Sequence, residues 1–447
     1  MKWEKLINKV FLVEIPKEKR KFLILTLPFK IYEVDYALNK KDLLNLAKRI
    51  KDKIKISEKT GVFTGYFSLD MVVTTFCNLQ CTYCYARSKE NKGLYGLKEA
   101  HMNKQTALKV ISLAISLFEK EIKNEKERLN KAKFDLFITG GEPLLNKEVV
   151  KFIIIELNKK LNNLSEKYKI QIILEPEIAT NGTLITEKFS KEMKKYDVQF
   201  AITLDGKEHD KRRVYANKKG SSEEVIRALK ILIKNKNRIK LQSIVPITKS
   251  FNPKEIFEFY ESKNLLNDIK RVHIIPQAEP IFDKYYNKKV NKNKENYERY
   301  GEKIFQASKK YNLDVKNYQE RLIRSIKIGG LRYRCSAGQW KIASSPKGDL
   351  YPCHQLLNIK EFYMGNINDP DLNEKILKVK KIFSNRTVFS VDPCKDCLFQ
   401  TICIPFVDCP ARCFLETGNL KKVSSHYCDI HKPYMEKIFE KFLLREK

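Results

Sequence analysis

The sequence predicts an α/β protein in which a partial (β/α)6 barrel, similar to a TIM barrel, carries a small α+β region before it and a cysteine-rich module after it. Three observations predict this organisation. Strand-like and helix-like runs alternate six times in the middle of the chain, the 447 residues are enough for about two to four domains, and most of the 11 Cys residues lie in the last quarter. We place the regions at 1–66, 67–311 and 312–447.

The first region is predicted to be a small α+β segment that precedes the barrel. Its hydrophobic alternation predicts three short strands and one amphipathic helix. They are Val10–Ile15, Lys21–Leu27, Lys30–Val34 and the helix Lys41–Lys53.

The second region alternates between strands and helices, which indicates a parallel sheet with right-handed crossovers. The predicted strands are Leu69–Thr75, Phe134–Thr139, Ile170–Ala179, Gln199–Leu204, Lys240–Ile247 and Val272–Pro276. The predicted helices are Lys104–Lys123, Lys147–Lys167, Glu187–Tyr196, Glu223–Asn235, Pro253–Lys263 and Lys294–Tyr311. In such folds the functional site lies at the carboxyl ends of the strands. In the third region the alternation stops, and a final helix is predicted at Pro433–Leu444.

The formal net charge of +33 suggests a polyanionic partner, but the composition argues for a different cause. Of the 87 basic residues 70 are Lys, whereas nucleic-acid readers rely on Arg for bidentate contacts. The lysines are spread over nearly every helix-like stretch, which is typical of a compositional bias with solvated faces. We therefore expect no nucleic-acid partner, and keep a basic iron–sulfur or zinc protein that binds nucleic acid as the alternative from another class.

The cysteines indicate metal binding. The chain begins MKWEKLINKV without an apolar signal segment, has no apolar run long enough for a membrane helix, and holds an odd number of Cys. A fully paired disulfide framework is excluded by that number. We expect a cytoplasmic protein without a membrane partner, in which clustered Cys bind zinc or iron–sulfur clusters.

The first cysteine cluster follows the first barrel strand in the run TTFCNLQCTYCYARS. Cys77, Cys81 and Cys84 have the spacing C-x3-C-x2-C. Three thiolates can hold three irons of a [4Fe–4S] cube and leave the fourth iron open to a substrate or cofactor. The alternative is a closed zinc or iron–sulfur site with a distant fourth ligand.

The barrel resembles the radical SAM superfamily over about residues 66–280, because further motifs follow this triplet in the expected order. After the second strand, ITGGEPLL contains Gly140, Gly141, Glu142 and Pro143. The resemblance implies that this motif binds the amino group of S-adenosylmethionine (SAM). Glycines allow close approach of the backbone, and a carboxylate can hold a cationic amine.

Three more runs carry the resemblance. ATNGTLI follows the third strand and AITLDGKEHDKRR the fourth, while a tyrosine stands inside the cysteine triplet. The resemblance implies SAM contacts by Thr180 and Asn181, contacts to the SAM carboxylate by Thr203 and Arg213, and packing near adenine by Tyr83. Where family members have Ser, Thr203 keeps the hydroxyl.

The implied chemistry is reductive cleavage of SAM to a 5′-deoxyadenosyl radical, which abstracts hydrogen from the substrate. The resemblance also implies an external electron donor of the flavodoxin or ferredoxin type.

The C-terminal cysteines resemble the SPASM extension of radical SAM enzymes, which holds two auxiliary [4Fe–4S] clusters. The resemblance assigns Cys335, Cys353 and Cys409 to the first auxiliary cluster, and Cys394, Cys397, Cys403 and Cys428 to the second. Five residues separate Cys403 from Cys409 where the family has three. Cys413 is extra, and is either the fourth ligand of the first cluster or a free thiol. With Cys413 as a ligand, three [4Fe–4S] clusters use every cysteine. Two zinc sites are the alternative.

The resemblance implies a polypeptide substrate. The leading hypothesis is a maturase that cross-links a ribosomally made peptide through thioether or carbon–carbon bonds, or makes a related modification. The alternative is an anaerobic sulfatase-maturing enzyme that forms formylglycine. In that subgroup Y-P-C-D carries an Asp thought to act as base, but here GDLYPCHQ places His354 there. His354 is thus a candidate proton acceptor or a structural group beside Cys353. The short first region, residues 1–66, predicts a separate leader-binding protein. The basic surface predicts an acidic leader.

Overall fold

The structure is a computed structural model. It describes residues 1–26, 28–52, 63–84, 86, 94, 96–245, 252–269, 272–276, 303, 325–327, 335–403, 409–423 and 425–445. The predicted helix Lys294–Tyr311 lies, apart from one residue, outside these described residues.

The described residues form twelve strands and ten α-helices. The strands are β1 (Lys2–Ile7), β2 (Val10–Ile15), β3 (Arg20–Thr26), β4 (Phe29–Val34), β5 (Tyr66–Val72), β6 (Lys131–Thr139), β7 (Gln171–Thr180), β8 (Gln199–Thr203), β9 (Arg238–Val245), β10 (Val272–Pro276), β11 (Lys341–Ser344) and β12 (Leu350–Tyr351). The helices are α1 (Lys40–Asp52), α2 (Lys104–Glu125), α3 (Lys147–Tyr168), α4 (Glu187–Lys194), α5 (His209–Arg212), α6 (Ser222–Lys234), α7 (Pro253–Ser262), α8 (Leu372–Ser384), α9 (Pro410–Thr417) and α10 (Ser425–Arg445). Short 3-10 turns occur at Pro16–Glu18, Lys126–Arg128, Pro143–Asn146, Gly206–Glu208, His354–Leu356, Lys360–Phe362, Val388–Ser390 and Cys394–Asp396.

The chain divides into two compact units. The first comprises residues 1–61, 289–335 and 385–447, and the second comprises residues 62–288 and 336–384. In the first unit, β1 to β4 form an antiparallel meander in chain order. One face of this sheet packs under α1 through Leu12, Leu23 and Leu43. The other face packs on α10 and the cysteine-rich segment, with Phe22 and Phe439 in the same buried cluster.

Two elements of the first unit differ from the sequence prediction. Strand β1 was missed, because KWEKLI is largely exposed and gains its pairing only from β2. The predicted start of the final helix at Pro433 was wrong, since α10 begins at Ser425 and contains that proline. Proline removes one backbone hydrogen bond from the helix. Burial of Met435, Phe439 and Leu443 stabilises the part of the helix that follows the proline.

The predicted partial barrel is confirmed in the second unit. Strands β5 to β10 lie in chain order, and each pairs parallel with its neighbours. Strand β11 pairs parallel with β5 on the side away from β6. Strand β12 then pairs antiparallel with β11. The turn between β11 and β12 needs Gly348, whose φ is 86°.

The two faces of this sheet differ in chemistry. Phe67 and Phe134 pack on Phe118 of α2 at ring distances of 5.7 and 5.2 Å. Because side chains alternate along a strand, their neighbours point to the opposite, inner face. That face carries ion pairs, among them Lys133–Glu175 at 2.6 Å, Lys240–Glu177 at 2.9 Å and Lys341–Asp70 at 2.9 Å. The inner wall is therefore polar.

Within the described part of the chain, none of the helices combines the length and the apolar character that crossing a membrane requires.

Candidate functional site

The loop after β5 carries Cys77, Cys81 and Cys84 at the carboxyl edge of the sheet. The charges of Cys81 and Cys84 add to the rise in the pKa of Cys77. Burial, more than these charges, raises the pKa of Cys77 to about 12. Three thiols in one loop are a donor set that fits a [4Fe–4S] cluster. Since ligation needs thiolates, loading the loop with iron must release protons.

The backbone of this loop is bonded to a distant segment at the end of α5. The amide of Gln80 donates to the carbonyl of Val214 at 2.6 Å, and the amide of Thr82 donates to that of Arg212 at 2.9 Å. These two bonds flank Cys81 on one side and Arg213 on the other. The fold thus places a guanidinium beside the cysteine loop.

The paired glycines after β6 hold the loop from the other side. A Cβ on Gly140 would overlap the carbonyl oxygen of Thr74, and one on Gly141 would overlap that of Phe76. In their place the amides of Gly141 and Glu142 donate to those two carbonyls at 2.9 and 2.8 Å. The glycines are therefore required for contact with the segment leading to Cys77.

Glu142 is fully buried and accepts three hydrogen bonds. Its Oε1 accepts from the amide of Leu144 at 2.9 Å and from the hydroxyl of Thr180 at 2.7 Å, while Oε2 accepts from the amide of Asn181 at 2.7 Å. Burial raises its pKa in spite of these bonds. A carboxylate offers about four acceptor positions. One position on Oε2 is therefore left for a cationic amine. Pro143, also buried, starts the 3-10 turn that follows.

Asn181 ties the loop after β7 to the cysteine loop. Its Nδ2 donates to Oδ1 of Asn78 at 2.8 Å, and Nδ2 of Asn78 donates to the hydroxyl of Thr183 at 2.9 Å. Thr180 and Thr203 end their strands and are both buried. The loop after the third strand is therefore bonded to the cysteine loop through Asn181.

Tyr83 and Arg213 are bonded to each other inside the site. Nη1 of Arg213 donates to the hydroxyl of Tyr83 at 2.9 Å, and that hydroxyl donates to Asp205. The guanidinium of Arg212 lies 4.3 Å from the centre of the Tyr83 ring. Burial raises the pKa of Tyr83, so its phenol stays protonated. Nε of Arg213 is buried and has no hydrogen-bond partner among the described residues.

A buried histidine, missed in the sequence analysis, supports this arrangement. Nδ1 of His209 accepts from the amide of Asp205 at 3.1 Å, so Nε2 carries the proton and faces the hydroxyl of Ser221 at 3.1 Å. That hydroxyl donates to the carbonyl of Arg213 at 2.8 Å. Burial, with the charge of Arg213, lowers the pKa of His209 to about 3. The neutral ring thus connects the end of β8 to Arg213.

His354 lies on the inner face, against β5. Its Nδ1 is 2.6 Å from Oδ2 of Asp70, whose other oxygen is 2.9 Å from Nζ of Lys341. Burial alone would raise the pKa of Asp70, but Lys341 and His354 outweigh it and hold the pKa at about 2. Sγ of Cys353 is 4.0 Å from Nδ1 of His354. Asp70 was not singled out from the sequence.

In the first unit, four cysteines line one cavity of about 160 Å³. They are the four assigned to one auxiliary cluster from the sequence: Cys394, Cys397, Cys403 and Cys428. Trp3 of β1 and Lys432 of α10 complete part of the wall, with Nζ of Lys432 4.8 Å from the Trp3 ring centre. Four thiols around one space fit a cluster with four protein ligands.

The remaining cysteines have different surroundings. Cys413 is buried in the apolar cluster of the first unit, where Nη2 of Arg386 donates to its sulfur at 3.6 Å. Cys409 precedes α9, and Cys353 follows β12 and is buried. Cys335 is partly buried at the start of a described segment. Their assignment to a cluster stays a prediction.

Comparisons with known proteins agree with this geometry. Residues 71–262 match the model of the radical SAM superfamily. A cysteine-type anaerobic sulfatase-maturating enzyme of Clostridium novyi is 28% identical over 350 residues, covering 75% of this chain and 87% of that protein. The radical SAM cyclopropyl synthase TigE of Paramaledivibacter caminithermalis is 25% identical over 391 residues, covering 84% of this chain and 74% of that one.

A solved structure has the same fold. Native anSMEcpe with bound AdoMet superposes with a TM-score of 0.60 at 19% identity, covering 84% of this chain and 98% of the other.

Proposed function

Because the chain is a radical SAM enzyme, we propose that it modifies a ribosomally made peptide, forming a thioether or carbon–carbon cross-link or making a related change. The relatives with assigned reactions support a polypeptide as the substrate class, since one is a sulfatase-maturating enzyme. The polar inner wall of the barrel supports a substrate that brings backbone amides and polar side chains.

The observation that carries the proposal is the meeting of three loops at one edge of the sheet. The cysteine loop is bonded through its backbone to the segment of Arg213, and the glycine pair brings Glu142 against it. This edge of the sheet thus carries an iron–sulfur donor set, an open acceptor position on Glu142 and a guanidinium nitrogen that has no partner among the described residues.

The residues fit the two groups that this chemistry needs. When bound, the reduced cluster and SAM supply a 5′-deoxyadenosyl radical that removes hydrogen from the substrate. Cys77, Cys81 and Cys84 would hold the cluster. Glu142 would bind the amine of SAM through its open acceptor position. Arg213 and Thr203 would bind the carboxylate of SAM.

Three further contacts belong to the same proposal. Tyr83 would pack beside adenine, while Thr180 and Asn181 would line the cofactor, and all three are already held by hydrogen bonds to this edge. Preorganised donors and acceptors need little rearrangement when a ligand arrives.

We also propose two auxiliary [4Fe–4S] clusters, giving three in total. The cavity with four cysteines supports one of them. The other would use Cys335, Cys353 and Cys409, with Cys413 as its fourth ligand. An external electron donor of the flavodoxin or ferredoxin type and a separate leader-binding protein complete the proposed partners. An acidic leader would meet the lysine-rich surface, so its affinity should fall as salt is added.

Formylglycine formation on a sulfatase is the second candidate, and the relative from Clostridium novyi favours it. The residue after Cys353 argues for cross-linking, because it is His354 where that subgroup has Asp. His354 would act as proton acceptor in either reaction, or hold the structure beside Cys353. Its bond to Asp70 supports a fixed ring orientation.

One experiment separates the two candidates. The enzyme is reconstituted with iron and sulfide without oxygen, reduced, and given SAM with either a sulfatase-derived peptide or peptides encoded beside its gene. Production of 5′-deoxyadenosine tests the radical chemistry. A peptide that loses two hydrogen atoms and yields linked fragments on digestion supports cross-linking, whereas an aldehyde at a single Cys supports the second candidate. Absence of SAM cleavage by the fully loaded enzyme contradicts both.

A further inference from the structure

Asp205 joins three separate segments of the site. It follows β8, and its carboxylate is fully buried. Oδ1 accepts from the amide of Ile244 in β9 at 2.8 Å, and Oδ2 accepts from the hydroxyl of Tyr83 in the cysteine loop. Nη1 of Arg212 lies 3.9 Å from Oδ2 and donates to the carbonyl of Ile244. One buried charge therefore holds β8, β9 and the cysteine loop together.

The hydrogen bonds around Tyr83 have a defined direction. An ionised carboxylate only accepts, so the phenol must donate its proton to Asp205. The phenol oxygen is then free to accept from Nη1 of Arg213, which it does at 2.9 Å. Asp205 thus acts on Arg213 through one intervening hydroxyl.

The Nε donor of Arg213 is not used within the described part of the chain. Its side chain is buried, and Nε has no hydrogen-bond partner within the described part of the chain. A buried donor without a partner is costly. The charge of Arg213 acts on Glu142, and Cys81 in turn acts on Arg213, so the guanidinium lies near both residues. The free nitrogen is placed for an anion that binds beside both.

We propose that Asp205 is a positioning residue for SAM, which aims the free Nε of Arg213 at the SAM carboxylate through the hydroxyl of Tyr83. This inference rests on the proposed contact between Arg213 and SAM. The buried carboxylate also balances the charges of Arg212 and Arg213, whose guanidinium groups lie 4.3 and 5.9 Å from the centre of the Tyr83 ring. Without it, the two guanidinium groups would repel each other in a site that solvent screens poorly.

The test measures SAM binding to the full-length, anaerobically reconstituted protein. SAM is titrated into the reduced enzyme, and the electron paramagnetic resonance signal of the cluster held by Cys77, Cys81 and Cys84 is recorded. The midpoint is the SAM concentration at which half of the signal change has occurred. Equilibrium dialysis is a second measurement of binding. The variants are Asp205→Ala, Asp205→Asn, Tyr83→Phe and Arg213→Ala. The matched control is Asp197→Asn, which changes an exposed Asp just before β8, at the opposite end of that strand.

We expect Asp205→Ala to raise the midpoint roughly tenfold or more, the size of effect that loss of a charged hydrogen bond produces. Iron content and the full amplitude of the signal change should stay at the wild-type values. The midpoint of Asp205→Asn should lie between those of wild type and Asp205→Ala, because the amide keeps one acceptor but loses the charge. Tyr83→Phe should also raise the midpoint, and the double variant Asp205→Ala with Tyr83→Phe should bind no more weakly than the weaker single variant.

Two results would overturn the inference. One is a wild-type midpoint for Asp205→Ala when Arg213→Ala binds weakly, which leaves the arginine contact standing. The other is loss of iron in Asp205→Ala together with a wild-type midpoint for Tyr83→Phe, which shows that Asp205 only maintains the fold. A wild-type midpoint for Arg213→Ala would instead contradict the proposed contact with SAM itself.

Discussion

Nδ1 of His354 lies 2.6 Å from Oδ2 of Asp70, and Nζ of Lys341 lies 2.9 Å from Oδ1 of the same carboxylate. Because Asp70 is ionised at neutral pH, the proton of this bond sits on Nδ1. The first barrel strand thus fixes Nδ1 as the donor and sets the ring orientation of the residue that follows Cys353.

Replacing Asp70 by Asn should destabilise the second unit, with a definite pH dependence. The folded pKa of about 2 lies below the ordinary value of 3.8, so the stabilisation is complete above about pH 5 and is lost as the pH falls towards 2. The shift corresponds to about 2 kcal/mol. Urea unfolding of the cluster-free chain, followed by Trp340 fluorescence in a Trp3→Phe background, reports on this unit, since the chain has 2 Trp.

The difference between Asp70→Asn and its parent should be largest at neutral pH and should close between about pH 4 and pH 2. Asp197→Asn, at an exposed site, serves as control and should change little. An equal difference at every pH would mean that the ion pair does not act through the charge of Asp70.

Replacing Cys77, Cys81 and Cys84 by Ala should abolish SAM cleavage and leave about eight irons per chain, held by the C-terminal cysteines. Replacing Cys394, Cys397, Cys403 and Cys428 should remove about four irons and leave the SAM-dependent change in the cluster spectrum. Iron analysis and electron paramagnetic resonance of the reconstituted proteins measure both. Loss of all iron in the first variant would contradict independent clusters.

Gly141→Ala should reduce iron loading of the first cysteine loop, because the added Cβ would overlap the Phe76 carbonyl and lie 2.6 Å from Cδ1 of Leu94. The loop must shift, and the thiols shift with it. SAM cleavage per chain should fall at least about tenfold, as positioning errors typically cause. Asp197→Asn, which changes an exposed side chain just before β8, is the control. Full iron and full activity in Gly141→Ala would exclude a need for this contact.

Trp3→Ala should make the C-terminal cluster more sensitive to air. The indole lines the cavity of four cysteines, and it is fixed there by a 2.8 Å bond from Nε1 to Glu436. A side chain that excludes solvent protects such a site. Loss of visible iron–sulfur absorbance in air should be several-fold faster than in wild type. Trp3→Phe should be intermediate, and Trp340→Phe, in the other unit, should not differ from wild type.

Much of the fold was predictable because its elements are long and regular. All six barrel strands and the helices between them were placed within a few residues, since the apolar period is strong in each. Strands β11 and β12 were not predicted. They are short, and β11 exists through pairing with β5, more than 250 residues earlier, which leaves no local signal.

The residues of the site also fall into two groups: those that a sequence motif marks, and those whose roles depend on contacts made by the fold. Residues inside motifs, such as Glu142 and Arg213, were singled out from the sequence, and the charge of Arg213 reaches Glu142 in the structure. Their contacts with SAM stay predictions. Asp205 and His209 were visible in the run ITLDGKEHD, but their roles depend on contacts with Tyr83 and Ser221 that only folding creates. No sequence motif surrounds Asp70, and a single acidic residue in an apolar strand does not reveal its partners.

The two backbone bonds that flank Cys81 also hold the segment of Arg213. Any event that unravels the cysteine loop therefore withdraws the guanidinium at the same moment. A displacement of either segment is passed to the other through these two bonds, so the position of the guanidinium depends on the fold of the cysteine loop.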